Sequence, residues 1–425
     1  MTSTIATTDS IGVGSVLMKR WALLGTAIAL MATAACGKTA GAPIVRFLDR
    51  PDTGGGWKEI ISEFEAANPD INVELVEGPA STNAREDMYS LSLSAADGTY
   101  DIVYMDVIWV PKFAARGWLQ SLDHRLPPVE REKFLPGDIR GSTYQGSLYR
   151  VPMRSDAGML YYRTDLVAKP PETFEELAAT ARRLQKPPEL WGVVFQGQQY
   201  EGLVCAFLEV LWGFGADVLD ADGNVVLDSP EAVRALTWLS GLVGDVAPGG
   251  VTTYQEEDAR HLFQEGHAVF MRNWPYVWTL AQQVGSPVAG KIGIAPMPHV
   301  PGQRGAATLG GWGFGLAKSA RHPEAAWRFI AFATQPEQQK ILHLRGGAIP
   351  ARRDLFRDPE ILKASPYYSD LYRILLAARP RPVHPKYAQI SNAIQVHVSA
   401  ALVGAESPDE AIKRAAQEVR GILGR

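Results

Sequence analysis

The chain has 425 residues, 46% of them hydrophobic and 21% charged, with a formal net charge of −4. That is enough apolar sequence for a large core and for two domains rather than one. The charge balance gives no electrostatic footprint for a polyanion, so nucleic acid is excluded as an expected partner. Two cysteines (Cys36 and Cys205) and eight scattered histidines, with no CxxC or HExxH spacing, give no reason to expect a metal or a cofactor.

The leader comes first. Lys19 and Arg20 precede WALLGTAIALMATAA, residues 21–35. A basic pair, an apolar run of about 12 residues and small residues ahead of polar sequence make a secretory signal. A membrane-spanning helix needs about 20 apolar residues. Cys36 follows Thr33-Ala34-Ala35 as the cysteine of a bacterial lipobox does, with Thr33 in place of the usual leucine. The reading is a signal peptide over residues 1–35 and a lipid on Cys36 that anchors the chain to a membrane surface. A plain secretory signal is the alternative. Residues 1–17 are odd for such a leader and read as an overlong start before Met18-Lys19-Arg20. The expected location is extracytoplasmic: the periplasm or the outer face of the cell membrane.

Beyond the leader, strand and helix patterns alternate. IVRFL (44–48) reads as a strand. Apolar residues at 57, 60, 61 and 64 mark one face of a helix that Asn68-Pro69 stops. INVEL (71–75) alternates as a half-buried strand does, and DIVYM (101–105) is the next strand. A helix is predicted from Ile108 to Gly117. This rhythm predicts an α/β fold with parallel sheets and helices on their faces. Thr173 and Glu176 have capping-box spacing at the start of a helix. Further helices are predicted over 230–242, 256–264, 323–333 and 408–422, three of them with proline near the first turn. Residues 267–274 read as a strand. Two Pro/Gly-rich stretches, 291–305 and 379–387, read as loops or crossings between domains.

Several stretches together carry a resemblance. They are YEGLVC (200–205), MRNWPYVW (271–278), GIAPMPHVPG (293–302), AATLGGWGFGLAK (306–318) and RPVHPKY (381–387), with FEAANPDINVELVEGP (64–79) and residues 101–123 in keeping. In order and spacing they resemble the extracellular sugar-binding proteins of bacterial ABC importers, within them the trehalose/maltose-binding group. The resemblance implies a periplasmic-binding-protein type II fold, maltose-binding-protein-like, with a ligand cleft between two lobes. It implies residues 44–152 with 297–351 in lobe one and 153–296 with 352–425 in lobe two. Pro152 and Pro296 suit crossing points, because proline stiffens a connection. It also implies a non-enzymatic, monomeric protein that delivers its solute to permease transmembrane subunits driven by an ATPase.

A sugar presents hydroxyls at its rim and C–H groups on its faces. Charged hydrogen-bond partners suit the first and flat aromatics the second. Asp106, which also suits a helix N-cap, and Asp156 match family aspartates. Trp274 matches the aromatic platform of the second lobe, and Gly311-Trp312 follow a Gly-rich turn, where a bare backbone lets a ligand approach. Arg381 matches a family arginine near the site, and Arg85, within a polar helix start, is a further candidate. Arg154 stands where the family often has tyrosine. Tyr276, Gln199 and Tyr200 form a second tier. The family's acidic residue near the first loop is replaced by Gly54-Gly55-Gly56, a run that also suits an anion cradle but lacks a P-loop's Lys-Ser/Thr. The expected ligand is an α-glucoside, with trehalose, sucrose, maltose and glucosylglycerol all open. A different solute on the same fold, or a secreted glycosidase using paired carboxyls, are the alternatives. Cys205 reads as a buried packing thiol, since no histidine supports it as a nucleophile.

Overall fold

A computed structural model describes residues 41–424; the predicted signal peptide and Cys36 lie outside the described residues. Its strands form two four-stranded sheets and two small pairs. In chain order the strands are β1 (Ile44–Asp49), β2 (Asn72–Glu77), β3 (Ile102–Asp106), β4 (Thr143–Tyr144), β5 (Ser147–Leu148), β6 (Val151–Ala157), β7 (Met159–Arg163), β8 (Trp191–Val194), β9 (Ala268–Asn273), β10 (Ile292–Ala295), β11 (Leu309–Leu316) and β12 (Ile349–Pro350). One large sheet has the order β12-β6-β11-β3 and the other β10-β7-β9-β8.

The local elements form where their residues dictate. The helix Phe174–Leu184 begins on a complete capping box: Glu176 N–H donates to Thr173 Oγ1 at 3.1 Å, and the Glu176 carboxylate accepts from the Thr173 amide. The helices Pro230–Gly241, Pro323–Ala333 and Pro408–Leu423 all open on proline, whose missing N–H costs nothing in the first turn. The segment after Asp106 differs from the expectation. It is a 3-10 turn, Val107–Trp109, leading into a short helix, Val110–Ala115, with Pro111 at its start.

The expected parallel sheets are also corrected. Parallel pairing joins β1 to β2 and β8 to β9, whereas β3, β6, β7, β10, β11 and β12 all pair antiparallel. The reason is long-range. β11 arrives from about 200 residues further along to lie between β3 and β6, and it runs against both. A βαβ crossover enforces parallel pairing, but a strand returning from another part of the fold does not.

The triple glycine has a packing cause. Gly55 caps the helix Gly56–Ala67 with φ +73°. A Cβ on Gly54 would lie 3.0 Å from the Arg345 carbonyl oxygen, and one on Gly56 would lie 2.7 Å from Leu342 Cδ2. The run lets this helix start approach the helix Pro336–Gly346 closely.

A core cluster packs beside each large sheet, and a third, with Ala157 and Ile349 of the first sheet and Met159, Tyr161 and Met271 of the second, joins them. Phe47, Trp57, Tyr104, Phe314 and Phe329 interlock beside the first sheet, with ring centroids 5.0–6.3 Å apart. Beside the second lies the helix Glu201–Gly213, every residue of which is buried. A helix apolar all round belongs in an interior, and this one carries two carboxylates into it, Glu201 and Glu209. Glu209 makes a two-pronged pair with Arg272 at 2.6 and 2.7 Å. The chain passes from β6 in the first sheet to β7 in the second at Gly158, and that residue lies against the Glu209–Arg272 pair. A Cβ on Gly158 would stand 1.8 Å from Glu209 Oε1 and 2.3 Å from Arg272 Nη2. Gly158→Ala is therefore expected to break the pair and cost about 3–5 kcal/mol, read from urea unfolding. A loss below about 1 kcal/mol contradicts this account of the passage.

Candidate functional site

A cavity of about 290 Å³ opens where the two large sheets meet. Its walls come from the ends of β3, β6 and β11, from the start of the helix Thr82–Ala95, from the starts of the helices Glu201–Gly213 and Glu256–Gln264, and from the segment after β9. Ligands of open α/β sheets bind at such strand ends. Nine of the eleven positions singled out from the sequence line it: Arg85, Asp106, Arg154, Asp156, Trp274, Tyr276, Gly311, Trp312 and Arg381. Gln199 is exposed and outside it. Tyr200 stands behind the wall, its hydroxyl donating to Glu256 at 2.7 Å.

The charged groups largely satisfy one another. Arg381 Nη2 donates to Asp106 Oδ1 at 2.8 Å and Nη1 to Glu201 Oε1 at 2.9 Å. Tyr387 also donates to Glu201, at 2.6 Å. Asp106 keeps its capping role, accepting from the Ile108 amide at 3.2 Å with the same oxygen. Arg154 pairs with Asp156, two residues along the same strand. Burial raises the Asp156 pKa above the usual carboxylate value, and the Arg154 charge opposes that rise. Three polar atoms of these residues are buried with no protein partner: Asp156 Oδ1, Arg85 Nε and Arg381 Nε. An unsatisfied buried donor or acceptor costs about 1–3 kcal/mol.

The two tryptophans differ. Trp312 is 5% exposed and packs on Tyr104 and Trp109, with the Arg85 guanidinium 4.5 Å from its ring centre. It serves the core as much as the cavity. Trp274 is less buried. Arg272 lies 4.2 Å from its ring centre, and its indole N–H donates to Glu256 at 3.3 Å. A Cβ on Gly310 would come within 3.2 Å of this indole.

Gly311 lines the cavity, but its missing side chain answers to the protein. Its φ is +135°, and a Cβ there would lie 2.8 Å from Asp138 Oδ1 and 2.9 Å from the Arg154 carbonyl oxygen. Asp138 is itself fully buried, and burial pushes its carboxyl up to about 6 against the pull of Arg150.

Sequence reasoning missed Glu201, Glu256 and Arg50 on the cavity wall. Glu201 had a legible signal, since a carboxylate opening an otherwise apolar helix must find a cation. Glu256 was hidden in an acidic helix start, where Asp258 caps the Gln255 amide and acids suit the helix dipole. Arg50 is exposed and reaches within 5.4 Å of the Tyr276 ring centre. Cys205 also touches the cavity. It is a buried free thiol 3.7 Å from Arg381 Nη1, and burial pushes its pKa well up. No group of three or more His, Cys, Asp or Glu side chains suited to a metal occurs among the described residues.

Comparisons with known proteins agree with this architecture. Residues 49–340 match the model of the bacterial extracellular solute-binding protein family. A probable ABC transporter-binding protein of Deinococcus radiodurans is 37% identical over 367 residues, 83% of this chain and 87% of the relative. Among solved structures, maltose-bound MalE3 of T. maritima is similar at 41% identity and a TM-score of 0.86, covering 90% of this chain and all of that one. A solute-binding protein of Thermotoga lettingae bound with α-D-tagatose is similar at 26% identity and a TM-score of 0.82, covering 90% and 99%. The fold is thus that of the maltose-binding-type periplasmic proteins, and the chain belongs to the bacterial extracellular solute-binding protein family.

Proposed function

We propose that this chain is the capture subunit of an ABC sugar importer and takes a small α-glucoside into the cavity described above. The observation that carries the reading is a cavity walled by Trp274, Asp156, Arg85 and Arg381, the last three of which each keep one buried polar atom without a protein partner, Asp156 Oδ1, Arg85 Nε and Arg381 Nε. A polyhydroxylated ring supplies donors and acceptors for all three, and its C–H face suits the indole. The volume of about 290 Å³ lies at the small end of ligand sites, which favours one or two sugar rings. The maltose-bound relative at 41% identity supports the class. Trehalose, sucrose, maltose and glucosylglycerol remain the candidates.

Lobe one comprises residues 44–152 and 297–351 in this reading, and lobe two 153–296 and 352–425. Sugar bridges the lobes, and closure is favoured because only the closed form makes both sets of contacts. The closed monomer then docks on the permease subunits. A lipid on Cys36 keeps the protein at the membrane that holds its transporter. Hydrolysis of the sugar is not part of the proposal, since the matched family is one of binding proteins.

Calorimetric titration with the four glucosides tests the ligand. At least one is expected to bind with a dissociation constant of about 1 μM, near −8 kcal/mol. Asp156→Asn and Trp274→Ala are each expected to weaken it by about tenfold or more. Absence of heat with all four sinks the α-glucoside assignment. For the anchor, Cys36→Ala is expected to move the protein from the detergent phase to the aqueous phase of a Triton X-114 extraction; an unchanged partition contradicts lipidation.

A further inference from the structure

Among the described residues, the buried arginines Arg150, Arg260, Arg272, Arg352 and Arg381 each have a carboxylate partner, and Arg85 has none. Arg85 is 3% exposed and lines the cavity. Its Nη1 donates to the carbonyls of Pro79 and Ala80 at 3.0 and 3.2 Å, while Nε has no protein acceptor. It stands near the N-terminus of the 14-residue helix Thr82–Ala95, whose first turn holds no acidic residue. A cation thus sits at the positive end of a helix dipole, the place where an anion is favoured. Burial lowers its pKa; the more distant charges of Asp49 and Asp106 oppose that fall without pairing with it, and the like charges of Arg50 and Arg154 add to it.

The carboxylates of the cavity are engaged elsewhere. Asp106 and Glu201 hold Arg381, Asp156 holds Arg154, and Glu257 holds Arg260. Asp258 accepts from the Gln255 amide, and the field of Glu256 falls on Arg272. A buried charge without a counter-charge is costly, and an anion compensates a guanidinium more strongly than a neutral hydroxyl does.

We infer that the cavity takes a glycoside bearing one anionic group, a carboxylate or a phosphate, seated on Arg85 at the start of the helix Thr82–Ala95. This rests on the sugar-capture reading and names the chemical class within it. Thr82 lines the same cavity.

Calorimetry on the intact protein with matched pairs tests it. The pairs are maltose and maltobionate, glucosylglycerol and glucosylglycerate, and trehalose and trehalose 6-phosphate. The first two probe a carboxylate and the third a phosphate. The anionic member of at least one pair is expected to bind about tenfold or more tighter than its neutral partner. Its affinity is expected to fall with added salt while that of the neutral member holds. Arg85→Gln is expected to abolish the preference, and Arg85→Lys, which keeps the charge without the planar fork, to retain part of it. The wild-type pairs and the lysine variant keep the result readable if the glutamine variant does not fold. Neutral members that bind as tightly as the anionic ones in all three pairs overturn the inference and leave sugar capture standing. A protein that binds no member of any pair, and no sucrose either, loses both.

Discussion

The Arg381 guanidinium between Asp106 and Glu201 is the interaction on which the site depends. Asp106 ends a strand of the first sheet, and Glu201 opens the buried helix beside the second. One cation on the cavity wall therefore ties the end of a strand of the first sheet to the helix beside the second. Removing it would leave two buried carboxylates facing each other, a cost on the order of several kcal/mol. The bond also fixes where the strand ends and helix starts face one another. That in turn sets where Asp156, Trp312 and Trp274 stand.

The same helix explains the second support. Glu209, eight residues on from Glu201, holds Arg272, and Arg272 lies against Trp274. Two carboxylates on one apolar helix thus anchor two arginines, one beneath the cavity and one behind its aromatic wall. Buried ion pairs contribute little net stability when complete. Their use here is positional: they hold side chains in one geometry while leaving only Asp156 Oδ1, Arg85 Nε and Arg381 Nε of these residues unsatisfied. The charged groups of the cavity in this sense largely neutralise one another.

Much of this was legible where the signal is local. The Thr173–Glu176 box, the prolines opening helices and the strand at Ile44–Asp49 all follow from residues a few positions apart. The direction of strand pairing was not legible, because β11 meets β3 across about 200 residues of sequence. The aspartates, arginines and aromatics of the cavity were nameable as candidates from their motifs. Their partners were not. Nothing in the sequence around Arg154 says that Asp156 neutralises it, or that Arg85 lacks a partner. Gly311 shows the same limit. Its motif suggested room for a ligand, and the structure assigns the missing Cβ to Asp138 and the Arg154 carbonyl.

The buried polar atoms left unpaired in the cavity residues are the contact points proposed for the ligand. A crystal structure of the protein grown with its tightest-binding glycoside tests this most directly. The account predicts ligand oxygens within about 2.7–3.2 Å of Asp156 Oδ1, Arg85 Nε and Arg381 Nε, with Trp274 against a ring face. A ligand seated away from all three atoms, with the Arg381 and Arg154 ion pairs broken to receive it, would contradict the account.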